Sequence, residues 1–210
     1  MTTIVDPERR EQLASLGAAA AYESLGRRNA LPPAIKPLWS PAILAGRAFT
    51  VEAVVADNLA LHHAVAEAPP GTVVVASVSE PGPVPLWGDL LSTISKEKGI
   101  AGLVIDSMVR DSDRIRALEF PVFCRGTSLY GPSKTAWGRL GVPIMIDGVV
   151  IEPGDWVLAD GDGAVIIPSD EIDSVLTAAR AIRDREREIV RRAALGESTL
   201  VQLGLGQPSA

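Results

Sequence analysis

The amino-acid sequence predicts an α/β fold with a mixed sheet, which is parallel at its centre and continues into an antiparallel meander. Nearly continuous apolar runs at 72–77 and 101–106 are typical of strands buried on both faces, and segments of helical character separate such runs. After residue 143, short apolar runs are joined by Asp-Gly and Pro-Gly-Asp turns, which are typical of antiparallel strands. Because 210 residues suit one hydrophobic core, we expect a single domain over residues 1–210.

The first third of the chain predicts a helix, a strand and a second helix. Asp6 as N-cap and Pro7 at the first helical position start the first helix, and apolar residues at helical spacing extend it to Leu25. A proline-rich loop occupies 29–41. The alternating, β-branched stretch 46–56 predicts a strand, and a short helix follows it.

The middle third alternates between strands and helices. Strands are predicted at 72–77, 101–106 and 121–125, with helices at 88–98 and 111–118 between them. This order is the signature of a parallel sheet whose strands are connected by helices.

The last third begins with a loop at 126–139 and then contains the meander. A final helix is predicted at about 169–195, with Ser169 as its N-cap and acidic residues in its first turn. The chain after about residue 202 is expected to be a loose tail.

Composition and charge exclude several classes of protein. The net charge of −6 argues against a nucleic-acid partner, since phosphate contacts need clustered Lys and Arg. The single cysteine, Cys124, excludes an internal disulfide and a Cys-based zinc site, and it favours a cytoplasmic location. No apolar run approaches the roughly 18 residues of a membrane span, and the N-terminus lacks the apolar core of a signal peptide, so we expect no membrane partner.

The first candidate site is the turn from Gly88 to Leu91, where a helix is predicted to begin. Backbone N–H groups at a helix start have no partner within the helix, so they can bind a carboxylate or phosphate. Gly88 would allow a ligand to approach the backbone closely. An ordinary loop-to-helix junction explains the same residues, and spacing alone favours that plainer interpretation.

The second candidate site is Arg110-Asp111, which follows a predicted buried strand where ligand sites of α/β sheets gather. Arg110 could bind a carboxylate or keto oxygen, and Asp111 could be the single protein ligand of Mg²⁺ or Mn²⁺. Asp111 also suits the N-cap of the next helix. Asp106, at the end of the strand, could orient Arg110 or simply cap a turn.

Two weaker signals are also present. His62 and His63 are adjacent on a short helix and face different directions, so they favour packing or an interface over a metal pair. Ser133-Lys134 could contact an anion, but the Gly-Pro-Ser-Lys stretch lacks the earlier glycine of a phosphate-binding loop.

The spacing of Gly88 and Arg110-Asp111, in the context GLVIDSMVRD, resembles the class II pyruvate aldolases typified by 4-hydroxy-4-methyl-2-oxoglutarate aldolase. Supporting pieces are DNLALHHAV, FPVFCRGTS, GPSK and IEPGDWVLADGDGAVIIP. The resemblance extends from about Ala20 to Arg191, and this family shares its fold with the regulator of ribonuclease activity A. It implies a three-layer β/β/α swivelling-type domain and homotrimers or hexamers with sites at subunit interfaces.

The resemblance also implies roles for the two candidate sites. Arg110 would contact the pyruvyl group and stabilise its enolate, and Asp111 would bind the divalent metal, Mg²⁺ or Mn²⁺. A metal-activated water is the expected base, positioned by Asp89 or Asp106. The pyruvate carboxylate would be bound by the turn's backbone amides, namely those of Gly88, Asp89, Leu90 and Leu91.

The implied activity is a metal-dependent carbon–carbon lyase that cleaves a 4-hydroxy-2-oxo acid to pyruvate, with oxaloacetate decarboxylation as a side activity. The alternative is a non-catalytic regulator that binds an RNA-processing nuclease or another protein partner. The regulator branch tends to lack the Asp after the Arg, so Asp111 favours an enzyme. Typical members are expected to read IDGAVRD where this chain has Ser107-Met108, and the bulkier Met108 could reshape the pocket.

Overall fold

The computed structural model describes residues 6–206. The helices in that range are α1 (Pro7–Leu16), α2 (Ala18–Ser24), α3 (Leu59–Glu67), α4 (Asp89–Glu97), α5 (Ser112–Ala117), α6 (Ile172–Ala194) and α7 (Thr199–Gln202). The strands are β1 (Lys36–Pro37), β2 (Leu44–Ala53), β3 (Val73–Val78), β4 (Pro85–Trp87), β5 (Gly102–Ile105), β6 (Met108–Val109), β7 (Val122–Cys124), β8 (Gly126–Thr127), β9 (Arg139–Leu140), β10 (Ile144–Ile146), β11 (Val149–Ile151), β12 (Trp156–Asp160) and β13 (Gly163–Ile167).

The main sheet has the strand order β1-β7-β5-β3-β2-β12-β13, with β9 added beside β2. Strands β7, β5, β3 and β2 pair in parallel, and β12 and β13 continue the sheet in antiparallel fashion. The chain just before β1 meets the opposite edge, because Leu31 N donates to Ala164 O at 2.8 Å. The sheet therefore nearly closes on itself, and the predicted mixed α/β fold is confirmed.

Apolar side chains form three cores around this sheet. One lies between the parallel strands and helices α3, α4 and α5, where the buried rings of Trp87 and Phe120 stack at 6.4 Å. The second lies on the other face, against the β10–β11 hairpin, and the third packs α1, α2 and α6 against β12 and β13. All six residues of β3 are buried, as its continuous apolar sequence predicts.

A separate small sheet positions the residues of interest. Its order is β4-β6-β8, and all of its strands run in parallel. Strand β4 leads directly into α4, and β6 leads into α5. Because parallel strands end at the same edge, the starts of these two helices lie side by side.

Four sequence-based assignments were wrong, and each reflects contacts with another part of the chain. The predicted N-terminal helix is broken at Gly17 (φ 83°), because Ala18 N donates to the Asp160 carboxylate at 2.8 Å. Ser169 does not cap α6; its N–H donates to Asp155 Oδ1 at 3.0 Å. The two predicted loops contain short strands, β1 in one and β8 and β9 in the other. The chain before the predicted tail forms α7, and residues 207–210 lie outside the described range.

The Asp6 N-cap is confirmed, since its side chain accepts a hydrogen bond from Arg9 N at 3.0 Å. Within residues 6–206, none of the helices is both long and apolar enough to cross a membrane.

Candidate functional site

The pairing of β4 with β6 brings the two candidate sites together. Trp87 O accepts a hydrogen bond from Arg110 N at 2.9 Å, which joins the end of one strand to the residue after the other. One residue further along, Asp89 N donates to Asp111 Oδ2 over a long 3.4 Å. Gly88-Asp89 and Arg110-Asp111 therefore form one site, although 22 positions separate them in the sequence.

Glycine is needed at position 88 because a side chain would collide with its neighbours, and not because of its backbone angles. Its φ of −158° is extended and open to any residue. A Cβ at this position would stand 2.6 Å from Asp111 Oδ2 and 3.2 Å from Arg110 Cγ. Because Gly88 has no side chain, the Asp111 carboxylate can lie against the start of α4.

Asp111 occupies the N-cap position of α5, but its side chain makes no capping hydrogen bond. Its backbone is left-handed, with φ 60° and ψ 36°, a conformation that costs most residues roughly 1 kcal/mol and that Asp and Asn tolerate best. The carboxylate instead faces the Gly88 turn. Asp111 is therefore the N-cap residue by position, as predicted, but its side chain does not cap the helix and is free for a role in the site.

Two arginines pair with the two carboxylates of the site. Arg110 Nε lies 3.4 Å from Asp111 Oδ2, and about half of the Arg110 side chain is exposed. Arg114 Nη1 donates to Asp89 Oδ2 at 2.9 Å. The Arg114 hydrogen bond is the main cause that holds the pKa of Asp89 below its usual range. Asp89 is consequently ionised and paired at neutral pH, which makes it a weak proton acceptor.

A cleft of about 70 Å³ opens at this site. The volume suits a small organic acid, since clefts for drug-sized ligands run to several hundred Å³. All predicted substrate-binding residues line the cleft. Other lining residues were either not identified from the sequence or were assigned a different role there. The lining residues are Asn58, His62, Pro85, Leu86, Trp87, Gly88, Asp89, Leu90, Leu91, Arg110, Asp111, Pro132 and Lys134.

His62 and Lys134 reach the cleft from α3 and from the loop after β8. Burial is the main cause that lowers the pKa of His62, and the neighbouring Lys134 ammonium lowers it further. His62 is therefore neutral at neutral pH, and Lys134 supplies the positive charge on this side of the cleft. The sequence favoured packing or an interface for His62 and His63, and the structure adds that His62 lines the cleft. His63 does pack, with its ring stacked on Trp137 at 4.5 Å.

A buried carboxylate, Asp57, ties these two segments together. Its Oδ1 accepts from Leu59 N at 2.9 Å, in the first turn of α3. Its Oδ2 accepts four hydrogen bonds at 2.6–3.1 Å, from Ser133 Oγ, Thr135 N, Thr135 Oγ1 and Ala136 N. The stretch DNLALHHAV, which supported the resemblance, begins at Asp57, but its contacts with Ser133 and Thr135 could not be predicted because they span more than 70 positions.

The hydrogen bonds of Asp57 predict an acid-dependent stability. Burial alone would raise the pKa of Asp57, but the hydrogen bonds from Ser133 and the backbone amides outweigh it and hold the pKa well below its usual range. Because the pKa of Asp57 is lower in the folded than in the unfolded protein, the ionised carboxylate stabilises the fold fully above the unfolded-state pKa of about 3.9. This stabilisation decreases as the pH falls below that value, and it is lost as the pH falls through the folded-state pKa.

We expect Asp57→Asn to lower the free energy of unfolding by about 2 kcal/mol at pH 7 and by much less at pH 3. Urea unfolding of both proteins between pH 3 and 7 measures the difference. Asp113→Asn, an exposed carboxylate in the first turn of α5, is the control. A gap between wild type and Asp57→Asn that is the same at pH 3 and pH 7 would contradict this linkage.

The donor set fits a hard divalent cation that keeps most of its own water. Mg²⁺ is commonly bound through one or two carboxylates together with substrate oxygens. Asp111 offers a carboxylate that no helix cap uses, and Gly88 leaves space beside it. No cluster of three or more His, Cys, Asp or Glu side chains suited to a metal occurs among the described residues. The residues present therefore suit Mg²⁺ or Mn²⁺ better than a metal that needs a full protein cage.

The structure does not support two of the roles that the sequence left open for neighbouring residues. Asp106 is buried and accepts from Arg125 Nε at 2.6 Å, so it orients neither Arg110 nor a group in the cleft. The Met108 sulfur lies against Gly126, 3.3 Å from where a Cβ would stand. Met108 is absent from the cleft lining formed by residues 6–206, so it does not reshape the pocket directly.

Comparison with known proteins places this architecture in one family. The RraA-like family model, described as Aldolase/RraA, matches residues 2–166. A putative 4-hydroxy-4-methyl-2-oxoglutarate aldolase from Halalkalibacterium halodurans is 37% identical over 169 residues, which is 80% of each chain. The 4-hydroxy-4-methyl-2-oxoglutarate aldolase of Thermus thermophilus is 30% identical over 67% of this chain and 85% of its own.

Among solved structures, the fold is similar to RraAS2 of Streptomyces coelicolor, described as an unusual member of the RNase ES inhibitor RraA protein family. The TM-score is 0.75 at 29% identity, and the match covers 89% of this chain and 96% of that one. By the family match, the sequence relatives and the shared fold, this chain belongs to the RraA-like family of aldolases and RraA proteins.

Proposed function

We propose that the protein is a divalent-metal-dependent carbon–carbon lyase, which cleaves a 4-hydroxy-2-oxo acid such as 4-hydroxy-4-methyl-2-oxoglutarate and releases pyruvate. The observation that carries the proposal is the placement of Asp111, whose strained backbone directs its carboxylate to the Gly88 turn instead of capping α5. The names of the two sequence relatives support the same reaction class.

The residues of the cleft have distinct roles in this proposal. The amides at the start of α4 bind the substrate carboxylate, because they lack partners within the helix. Arg110 places a fixed positive charge near the 2-oxo group, where negative charge develops as the bond between C3 and C4 breaks. Asp89, paired with Arg114, holds the turn and positions neighbouring groups rather than accepting the proton.

Asp111 would hold the Mg²⁺ or Mn²⁺ ion, which supplies Lewis-acid stabilisation of the enolate charge when bound. As the bond between C3 and C4 breaks, the 4-hydroxyl proton passes to water and C4 becomes the carbonyl carbon of the second product. The enolate then takes a proton from water at C3 to give pyruvate. Loss of CO₂ from oxaloacetate produces the same enolate, so oxaloacetate decarboxylation is the expected side activity.

The direct test is pyruvate release from oxaloacetate by the purified protein with Mg²⁺, with Mn²⁺ and with excess chelator. We expect release above the spontaneous rate with either metal, and a fall of at least about a hundredfold with chelator because the Lewis acid is removed. Restoring the metal should restore the rate. A folded protein that releases no pyruvate with either metal would refute the proposal.

The alternative is a non-catalytic regulator that binds an RNA-processing nuclease or another protein. The description of the Streptomyces relative as belonging to an RNase inhibitor family favours it. Leu129, Tyr130 and Trp137 are exposed on the segment that also carries Lys134, and they offer apolar surface that a protein partner could cover. Metal-independent binding of a nuclease, together with no pyruvate release, would favour the regulator over the lyase.

A further inference from the structure

A narrow crevice lies at the start of β2, apart from the cleft. Its lining comes from the start of α1, from β2, from the turn before β3 and from β12, and it includes Asp6, Arg10, Arg47 and Trp156. The cleft instead includes Asn58, which follows the end of β2. The volume of the crevice is about 10 Å³, close to the least that one water-sized occupant requires. A ligand of this crevice is therefore small.

Two arginines line the crevice without a carboxylate partner. Arg47 is half-buried and held in place, because its Nη1 donates to Gly154 O at 2.8 Å and its Cζ lies 4.8 Å from the centre of the Trp156 ring. Among residues 6–206, neither Arg10 nor Arg47 forms a salt bridge. A partly buried guanidinium in a fixed position has lost hydration, and a neighbouring anion would offset that loss.

Asp6 contributes a carboxylate to the lining, but both of its oxygens are engaged by one neighbour. Its Oδ1 accepts from Arg9 N at 3.0 Å, and its Oδ2 accepts from Arg9 Nη1 at 3.1 Å. The negative charge of Asp6 is thus directed to Arg9, and the crevice keeps an excess of positive charge from Arg10 and Arg47.

The indole of Trp156 supplies a second, independent observation. Trp156 lines the crevice and is only 1% exposed, and within the described range 6–206 its Nε1–H has no hydrogen-bond acceptor. A buried donor without an acceptor is costly, and an ion or a water that the coordinates lack commonly explains one. The positive end of the indole N–H dipole adds to the charge of the two guanidinium groups, so the lining favours an anion over a neutral water.

We propose that this crevice binds a single monatomic anion of the chloride type, which Arg10 and Arg47 hold between the start of α1 and the start of β2. Size selects the class of ligand: phosphate and carboxylate groups carry several heavy atoms, whereas a chloride ion is only slightly larger than a water molecule. The bound anion neutralises two guanidinium groups and joins α1 to the sheet, so it stabilises the fold. This role is independent of the lyase function proposed above.

The test is thermal unfolding in sodium chloride and in sodium gluconate of equal ionic strength. Wild type should unfold about 3 °C higher in chloride, and this gain should saturate with concentration as binding does. Arg10→Met and Arg47→Met should each lose the gain. Arg185→Met removes an exposed arginine of α6 outside the crevice, and as the matched control it should keep the gain. If Arg47→Met does not fold, the exposed Arg10 still provides the test.

Bromide, which scatters X-rays anomalously, locates the ion directly in crystals grown with sodium bromide. A bromide peak between Arg10 and Arg47 that is absent in Arg10→Met supports the proposal. Equal midpoints of wild type in chloride and gluconate, without a bromide peak, would overturn it and leave a water in the crevice. A chloride gain that both arginine variants keep would overturn it as a general salt effect. Stabilisation by phosphate and not by chloride would overturn the choice of a monatomic ion.

Discussion

Asp111→Asn is expected to reduce metal-dependent pyruvate release by at least about a thousandfold while the protein stays folded. Asparagine tolerates the left-handed backbone at φ 60° as well as aspartate does, so the substitution adds no strain. It removes the charge on which the proposed metal binding depends. Because the side chain caps no helix, the free energy of unfolding should change by less than about 0.5 kcal/mol.

The measurements are oxaloacetate decarboxylation with Mg²⁺ or Mn²⁺, and urea unfolding without metal. Asp113→Asn is the matched control, since Asp113 also lies at the start of α5 and does not line the cleft formed by residues 6–206. Full activity in Asp111→Asn would remove the basis for the proposed mechanism. A large loss of stability would instead show that Asp111 has a structural role.

Gly88→Ala is expected to lower kcat/KM for the same reaction about a hundredfold, a loss typical of misplaced reacting groups. The extended backbone accepts alanine, so the effect arises only from the new methyl group. That group would stand 2.6 Å from Asp111 Oδ2 and 3.2 Å from Arg110 Cγ. Both side chains must then move away from the start of α4, and the carboxylate loses its place beside the amides.

The control is Gly161→Ala, because a Cβ at Gly161 meets no atom within 4 Å. Steady-state kinetics and thermal unfolding of the two variants separate the local displacement from a general loss of structure. Activity of Gly88→Ala equal to that of Gly161→Ala would show that the close approach of Gly88 and Asp111 is unimportant for the reaction.

The parallel centre of the fold could be predicted because its strands are buried on both faces and therefore apolar throughout. The break in the first helix could not, since Gly17 turns there to meet Asp160, which hydrogen-bonds Ala18 across 142 positions. Ser169 is not the cap of α6 for a similar reason: its N–H donates to the Asp155 carboxylate, and the helix begins only at Ile172. Local propensity describes an element, and distant partners decide where it ends.

The resemblance carried by Gly88 and Arg110-Asp111 predicted that these two pieces belong to one site, and the pairing of two parallel strands, β4 and β6, brings them together. Lys134 was only a weak candidate from the sequence, because the turn that brings it to the cleft is held by the contact of Asp57 with Ser133, 76 positions away. Asp111 was ambiguous because a helix cap and a metal ligand use the same residue type. Only its backbone angles and the direction of its side chain distinguish the two roles.

The small loss of stability expected on replacing Asp111 has an evolutionary consequence. A lineage could exchange this carboxylate for another residue that tolerates φ 60° and lose the chemistry at almost no cost in folding. Selection for stability would not oppose the change, and the unaltered surface would remain available for recruitment by a protein partner. Such an exchange would allow one scaffold to serve both a protein described as an aldolase and one described as a member of an RNase inhibitor family.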